Sequence, residues 1–436
     1  MKRYPLLLLL PLLLFVSCKE DKKADDKIQY HGGTADLSCF ISIGNSLTAG
    51  YANGSLYRSG QENSYPNILA KQFALAGGGK FVQPLLPGEA GWPQRKLVLS
   101  QQTDCSGKQY DAPVNYSGAD DTQGSSDNIA ALGPFNNLGI PGVRCVDLSL
   151  GGYVTLNYYA KRMFSQPNVP LMSLIPQSRA TFFSVWLGGN DVLGYATNGG
   201  AGAVSGTALD DISPLAYFTA NYDTLINRLT ANGAKGILMT IPDITQIPFF
   251  TTLQPEGLQL NQQEADALNQ YYQGTNISFT TGGNYYVIAD EDAPNGKRKM
   301  QPGEYLLLTL PIDSLTCGHW GQTTPIPDEY VLTAAEVDNI DNAIAGFNQV
   351  IIKAADKHHL ALLDATAYLQ TIANGLDVNG LHFDSRFITG GVFSLDGIHL
   401  TPRGYALLAN RMIQAINAFY HGNIPEATVA DYPEGF

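Results

Sequence analysis

Ser46 stands in Gly44-Asn45-Ser46-Leu47-Thr48-Ala49-Gly50, directly after the apolar run Leu37 to Ile43. A strand ending in a glycine-bounded turn can present a hydroxyl at the carboxyl edge of a parallel sheet, the edge where open α/β sheets bind ligands. A serine hydroxyl is a weak nucleophile until a base takes its proton. His399 can be that base. In Asp396-Gly397-Ile398-His399 the carboxylate precedes the imidazole by three residues, so one turn lets it fix the ring tautomer and stabilise the imidazolium. Two further turns, Asn137-Leu138-Gly139-Ile140-Pro141-Gly142 and Gly188-Gly189-Asn190-Asp191, offer hydrogen-bond donors. The backbone N–H groups of Ser46 and Gly142 and the side-chain amide of Asn190 could face an oxygen that turns negative when a carbonyl is attacked, each worth roughly 3–4 kcal/mol. Singly, these motifs are ordinary: Asp-x-x-His is usually a cap or surface pair, and Gly and Asn favour any turn. Jointly they point to acyl transfer. The serine turn is not the Gly-x-Ser-x-Gly elbow, because Thr48 occupies the second glycine position.

Short apolar strands alternating with amphipathic helices must position these turns, the pattern of a parallel sheet covered on both faces. Strands are expected over Leu37 to Ile43, in a short run ending near Asn137, and over Thr181 to Leu187, Gly236 to Ile241 and Leu360 to Leu363. Helices are expected over Tyr65 to Ala76, Val143 to Met163, Pro214 to Ala231 and Thr333 to Lys357. Thr333 and Glu336 form a capping-box pattern ahead of the stripe Val337, Ile340, Ile344, Phe347, Ile351 and Ala354. A last helix starts at Thr401-Pro402, ends at Gly422 and should bury Tyr405, Leu408, Met412, Ile416 and Phe419. Two stretches break the alternation and read as insertions, about residues 83–133 and 275–328. In the second, Tyr285 to Ala289 and Glu304 to Thr309 read as the two strands of a hairpin. Insertions of this kind usually sit over sites.

The order Gly-Asn-Ser-Leu, Asn-x-Gly-x-x-Gly, Gly-Gly-Asn-Asp and Asp-x-x-His, spread over residues 44–402, resembles the four blocks of the SGNH, or GDSL-like, hydrolase family. The resemblance implies Ser46 as nucleophile, His399 as base and Asp396 as its partner, with Ser46, Gly142 and Asn190 as oxyanion donors. It also implies an α/β chain with a three-layer α/β/α flavodoxin-like fold around a central parallel sheet, no cofactor, and an ester as substrate. Two positions depart from the pattern: Asn45 replaces the usual Asp of the serine block, and Leu400 replaces the proline that often follows the histidine. Neither is assigned the proton transfer.

The N-terminus bears on compartment. Lys2 and Arg3 precede an apolar run, Leu6 to Val16, too short to span a bilayer and right for a signal peptide core. It ends in Val16-Ser17-Cys18, which resembles a bacterial lipoprotein cleavage site and makes Cys18 the expected lipidated N-terminus. Residues 1–17 are then the signal peptide, 18–36 a flexible lipidated tether, and 37–436 one hydrolase domain carrying both insertions. The charged start of the tether resembles the surface-export signal of Bacteroidetes lipoproteins, so the expected location is the outer membrane, with exposure at the cell surface open. Removing Lys2 and Arg3 with the leader takes the formal charge from −13 to −15, which excludes nucleic acid as a partner. Cys39, Cys105, Cys145 and Cys317 remain after Cys18. An oxidising exterior permits two disulfides in any of three connectivities, while Cys39 in its apolar run is equally well read as a buried thiol. No cysteine has metal-ligand spacing, and no metal is expected.

Other candidates read as structural. His358-His359 closes the long helix; His319 and His382 have no partner pattern; Asp290-Glu291-Asp292 lacks the glycine and terminal glutamate of a calcium loop. Tyr51, Tyr57, Tyr65 and Trp92 either pack or form a wall against a sugar or acyl group. The sequence thus leaves three readings open: an esterase on small-molecule or lipid esters, a carbohydrate acetyl esterase on acylated glycans, and a non-catalytic surface binding protein on the same scaffold. Oligomeric state is not legible.

Overall fold

β-Branched and aromatic residues bounded by glycine favour extended backbone. Five short segments pair in parallel: β1 (Phe40–Gly44), β2 (Asn137–Gly139), β3 (Phe182–Trp186), β4 (Lys235–Met239) and β5 (Ala361–Leu363); of these, β1 and β3 are rich in such residues. In this computed structural model, which describes residue 1 and residues 28–175 and 180–435, the order across the sheet is β5-β4-β3-β1-β2, the doubly wound flavodoxin-like order. The signal peptide, Cys18 and the charged stretch to Lys27 lie outside the described residues. His31 and Thr34, expected in the tether, are instead held against the end of the last helix by His31 N–H to Asn423 Oδ1 at 2.7 Å and Thr34 N–H to the Tyr420 carbonyl at 2.8 Å.

Helices cover both faces. α1 (Ser46–Ala49) is one turn after β1, α2 (Tyr65–Leu75) follows it, α3 (Asn190–Thr197) follows β3, and α4 (Leu215–Thr230) leads back to β4. α5 (Ala334–His358) precedes β5, α6 (Ala365–Ala373) follows it, and α7 (Pro402–Tyr420) ends the core. α2 packs with α7 on one face and α4 with α5 on the other. The Thr333–Glu336 capping box forms as expected, and Thr401 Oγ1 accepts from Gly404 N at 3.0 Å to start α7. In the sheet's middle, the Ser42 and Ser184 hydroxyls of β1 and β3 bond at 2.7 Å, so two buried polar groups satisfy each other.

Three local expectations are corrected. No single helix spans Val143 to Met163. The segment breaks into a 3₁₀ turn, Cys145–Ser149, and two short helices, Tyr153–Leu156 and Tyr158–Met163. Gly152 is left-handed at φ 85° and Asn157 restarts the chain by capping Tyr159 N and Ala160 N, so helical spacing was present but backbone signals cut it. Phe419 is 46% exposed; its neighbour Tyr420 takes the inward position and bonds the Gly236 carbonyl at 2.8 Å. In the second insertion, Val287–Ala289 pairs with the basic strand Lys297–Lys299, whereas Tyr305–Leu306 pairs with Val331–Leu332. Arg298 makes a basic strand possible by pairing with both Asp290 and Glu304.

The insertions build outward. The first raises a hairpin, Leu97–Thr103 with Gln109–Asn115. The second has a small core of its own around Ile288, Met300, Leu306, Ile326 and Val331. One disulfide, Cys105–Cys317, joins them across 212 residues of sequence, rather than the two that the four cysteines permitted. Cys39 and Cys145 are free, the second fully buried with its thiol against the Phe218 carbonyl. Cys105→Ser is expected to lower stability by about 2–4 kcal/mol, since a link closing so long a loop restricts the unfolded chain strongly. Thermal unfolding of the two proteins checks it, and equal melting temperatures would show that the insertions stay docked without the bond.

Candidate active site

The parallel register aligns Gly44 with Gly139 on one side and with Trp186 on the other. Two, three and four residues beyond those aligned positions stand Ser46, Gly142 and Asn190. Three turns from neighbouring strands therefore open at one edge, where the chain reverses direction across the sheet and a crevice must form.

Gly44 has to be glycine, because a Cβ there would lie 2.0 Å from Thr48 Oγ1 and 2.6 Å from the Trp186 carbonyl. Asn45 caps α1 by accepting from Leu47 N at 3.2 Å, a task Asp would also perform, so this departure from the family's pattern keeps the turn. Thr48 Oγ1 is anchored to the Tyr65 hydroxyl at 2.8 Å. Ser46, the first residue of α1, has no intrahelical partner for its N–H.

His399 Nε2 lies 2.7 Å from Ser46 Oγ, and His399 Nδ1 lies 3.0 Å from Asp396 Oδ2. Both Ser46 and His399 are buried. Asp396 is saturated: Oδ1 accepts from Ile398 N at 2.9 Å, His399 N at 2.8 Å and Ser394 Oγ at 3.1 Å, and Oδ2 accepts from Gly54 N at 2.7 Å. Burial alone would raise its pKa, but the His399 ring beside it and these donors outweigh burial and hold the carboxyl well below its usual range. The turn needs Gly397 at φ 71°, which a residue with a side chain adopts only under strain.

The sequence did not single out Asn53-Gly54. Asn53 N donates to Ser394 Oγ at 2.9 Å and Asn53 Oδ1 accepts from Leu395 N at 3.0 Å, so the segment just after the serine turn grips the histidine turn. An Asn-Gly pair shortly after the serine block was the available signal, and it reads as a tight turn.

Gly142 sits at φ 81°, and a Cβ there would meet nothing nearer than Asn157 Nδ2 at 3.8 Å, so glycine is needed there for backbone conformation. Among the described residues its N–H bonds to none, leaving a donor at the crevice. Asn190 uses one amide hydrogen on the Val143 carbonyl at 2.9 Å and keeps the other. Its neighbour Asp191, fully buried, accepts from Cys145 N at 2.7 Å. The start of α3 thus holds the turn after Gly142 at two points. Burial raises the Asp191 pKa to about 7, against the backbone donors of Cys145 and Val146 that lower it.

Of the four aromatic residues, Tyr57 and Tyr65 are core. Tyr51 packs on the His399 ring with centroids 4.6 Å apart. Tyr51, Trp92 and Tyr159 gather round Ala49, Leu56 and Leu86, and Trp92 also meets the exposed Tyr158 edge-on. Neither His319 nor His382 bonds to the serine, histidine or aspartate; His382 pairs with Asp377 at 2.9 Å on a surface hairpin. His358 bonds Thr230 Oγ1 at 3.0 Å, and Asp290 is taken by Arg298.

A buried Ser–His–Asp chain beside unused N–H donors can deprotonate a hydroxyl and hold the oxyanion of acyl transfer. In comparisons with solved structures, the chain is similar to an extracellular lipase from Streptomyces rimosus (12% identity, 87% of this chain and 99% of that one, TM-score 0.35) and to a lipase/acylhydrolase from Enterococcus faecalis (13% identity, 90% and 100%, TM-score 0.34). It is likewise similar to a variant of an acetyl-xylooligosaccharide esterase from Geobacillus Stearmophilus (11% identity, 88% and 96%, TM-score 0.35). Likenesses of this extent carry no assignment. Comparison with curated proteins gave no match. The family model described as GDSL-like lipase/acylhydrolase matches residues 41–412, most of the length and all four blocks, and the chain belongs to that family of ester hydrolases.

Proposed function

We propose that the protein is an extracytoplasmic serine esterase in which Ser46, His399 and Asp396 act as a triad, and that a lipid on Cys18 anchors it in the outer membrane. The observation that carries the first part is the unbroken line from Ser46 Oγ to His399 Nε2, and from His399 Nδ1 to Asp396. His399 takes the hydroxyl proton as Ser46 Oγ bonds to the ester carbonyl carbon. The oxyanion is met by Ser46 N–H, Gly142 N–H and the free hydrogen on Asn190 Nδ2. The alcohol departs with the proton from His399, and water, deprotonated by the same ring, releases the acid and restores Ser46. A charged Asp396 stabilises the imidazolium in both halves.

Asp191 supports this reading indirectly, by fixing the turn that carries Gly142. Its pKa rises from 3.8 unfolded to about 7 folded, so the folded chain keeps a proton that the unfolded chain loses between those values. That stabilisation is complete below pH 3.8 and is lost as pH rises through 7. Asp396, shifted down, acts oppositely: its contribution is present at neutral pH and lost as acid protonates it.

Ser46→Ala and His399→Ala should each lose roughly 10⁴-fold or more in kcat on a chromogenic ester, with Asp396→Ala losing less; full activity in Ser46→Ala would rule out the triad. In Asp191→Asn, the stability margin of wild type over variant should shrink by at most about 4 kcal/mol between pH 4 and 8, read from denaturant unfolding at each pH. Cys18→Ser should move the protein from the membrane to the soluble fraction and abolish labelling by radioactive palmitate. Retention in the membrane without label would contradict the anchor.

A further inference from the structure

An apolar cavity of about 80 Å³ adjoins the serine and histidine turns. Its lining includes Leu47, the residue after Ser46, together with Ile398 and Leu400, which bracket His399 in the chain. These three are only partly buried. Trp186, Ile247 and Ile372 form deeper parts of the wall. Trp186 ends β3 at the level of Gly44, which puts the cavity at the same sheet edge as the serine turn. Every other lining side chain is apolar except Tyr368, and the one polar atom of Trp186 already donates to the Thr240 carbonyl at 3.1 Å.

Chemistry selects the half of an ester that fits. A sugar or glycerol leaving group carries hydroxyls that would be buried there without partners, a costly arrangement. An alkyl chain needs none. A single water requires roughly 10–15 Å³ of such volume, so 80 Å³ takes about five methylene-sized groups. Acetyl would leave the cavity empty, and a long fatty chain would overrun it. The alcohol half is left outside the cavity; Tyr51, packed on the imidazole, already donates its hydroxyl to the Gly54 carbonyl at 2.6 Å and accepts from Gln94 at 2.7 Å.

We infer that this cavity is the acyl site and selects short chains, butanoyl to hexanoyl, an inference that rests on Ser46 being the nucleophile. Leu400, at the position where the family pattern often has proline, is part of the selecting wall.

The test uses the full-length protein and 4-nitrophenyl esters from acetate to dodecanoate, beside Ser46→Ala, Ile372→Phe to fill the cavity and Ile247→Ala to enlarge it. Each methylene moved from water into an apolar site is worth about fourfold, so kcat/KM should rise by roughly 10² from acetate to hexanoate and fall beyond it. Ile372→Phe should lower the ratio of kcat/KM for hexanoate over acetate at least tenfold, and Ile247→Ala should move the optimum to octanoate. Calorimetry of hexanoate on Ser46→Ala, with and without Ile372→Phe, gives a readout without turnover; tenfold tighter binding than acetate, lost on filling, is expected. Cleavage that depends on Ser46 but ignores chain length, or is best with acetate, overturns the acyl site and leaves the serine reading intact. Hexanoate binding with no Ser46-dependent cleavage overturns the serine reading, and with it the assignment of the cavity to an acyl group.

Discussion

Asp396 is the point on which the rest depends. A carboxylate removed from water is costly unless its lone pairs are met, and here both oxygens are fully engaged by Ser394, Ile398, Gly54 and both nitrogens of His399 that can reach it. The same bonds that keep it charged also fix where it is. Gly54 lies eight residues after the serine and Asp396 over three hundred later, so one hydrogen bond ties the two halves of the site. Asn53 reinforces it through Ser394 and Leu395. His399 then has little freedom: one ring nitrogen is aimed by Asp396, and the other meets Ser46.

The parallel sheet supplies the second constraint. Neighbouring strands share a register, so short turns following them must emerge side by side. Gly139, Gly44 and Trp186 are level, and the donors of Gly142, Ser46 and Asn190 follow within a few residues of each. Such a site requires turns of defined length and a glycine at φ 81°. It tolerates Asn45 in place of the family's usual Asp, because a cap needs only an oxygen that accepts from Leu47 N.

The five strands, the long helices and the three meeting residues were legible because each is a local signal: apolar runs for strands, 3.6-residue stripes for helices, Gly and Asn for turns. Most of what could not be read was non-local. The exception is local: helical spacing from Val143 to Met163 masks two interruptions, at Gly152 and Asn157. The hairpin partner of Val287–Ala289 is hidden in the sequence because a basic strand, Lys297–Lys299, reads as solvated unless Asp290 and Glu304 neutralise Arg298. Cysteine count permitted three pairings, and only the fold brings Cys105 to Cys317. The grip of Asn53-Gly54 on the histidine turn likewise spans more than three hundred residues and has no sequence period.

The insertions reach the site through its scaffold. Leu97, where the first hairpin begins, donates to the Asn53 carbonyl at 2.7 Å, and Asn53 holds the Asp396 turn. In the second, Leu308 donates to the Phe249 carbonyl at 2.9 Å, and Phe249 N–H to the Gly397 carbonyl at 3.0 Å. Both insertions are therefore tied to the loop that carries Asp396 and His399 by one intermediate residue each, Asn53 and Phe249, and the disulfide closes the circuit between them. A cross-link of this kind limits how far either insertion can swing without the other. Because each is linked to the histidine turn through one intermediate residue, Asn53 or Phe249, that restraint is passed to the residues whose spacing must stay within hydrogen-bonding range for proton transfer. The added segments thus brace a catalytic turn that lies beyond the last strand of the five-stranded core.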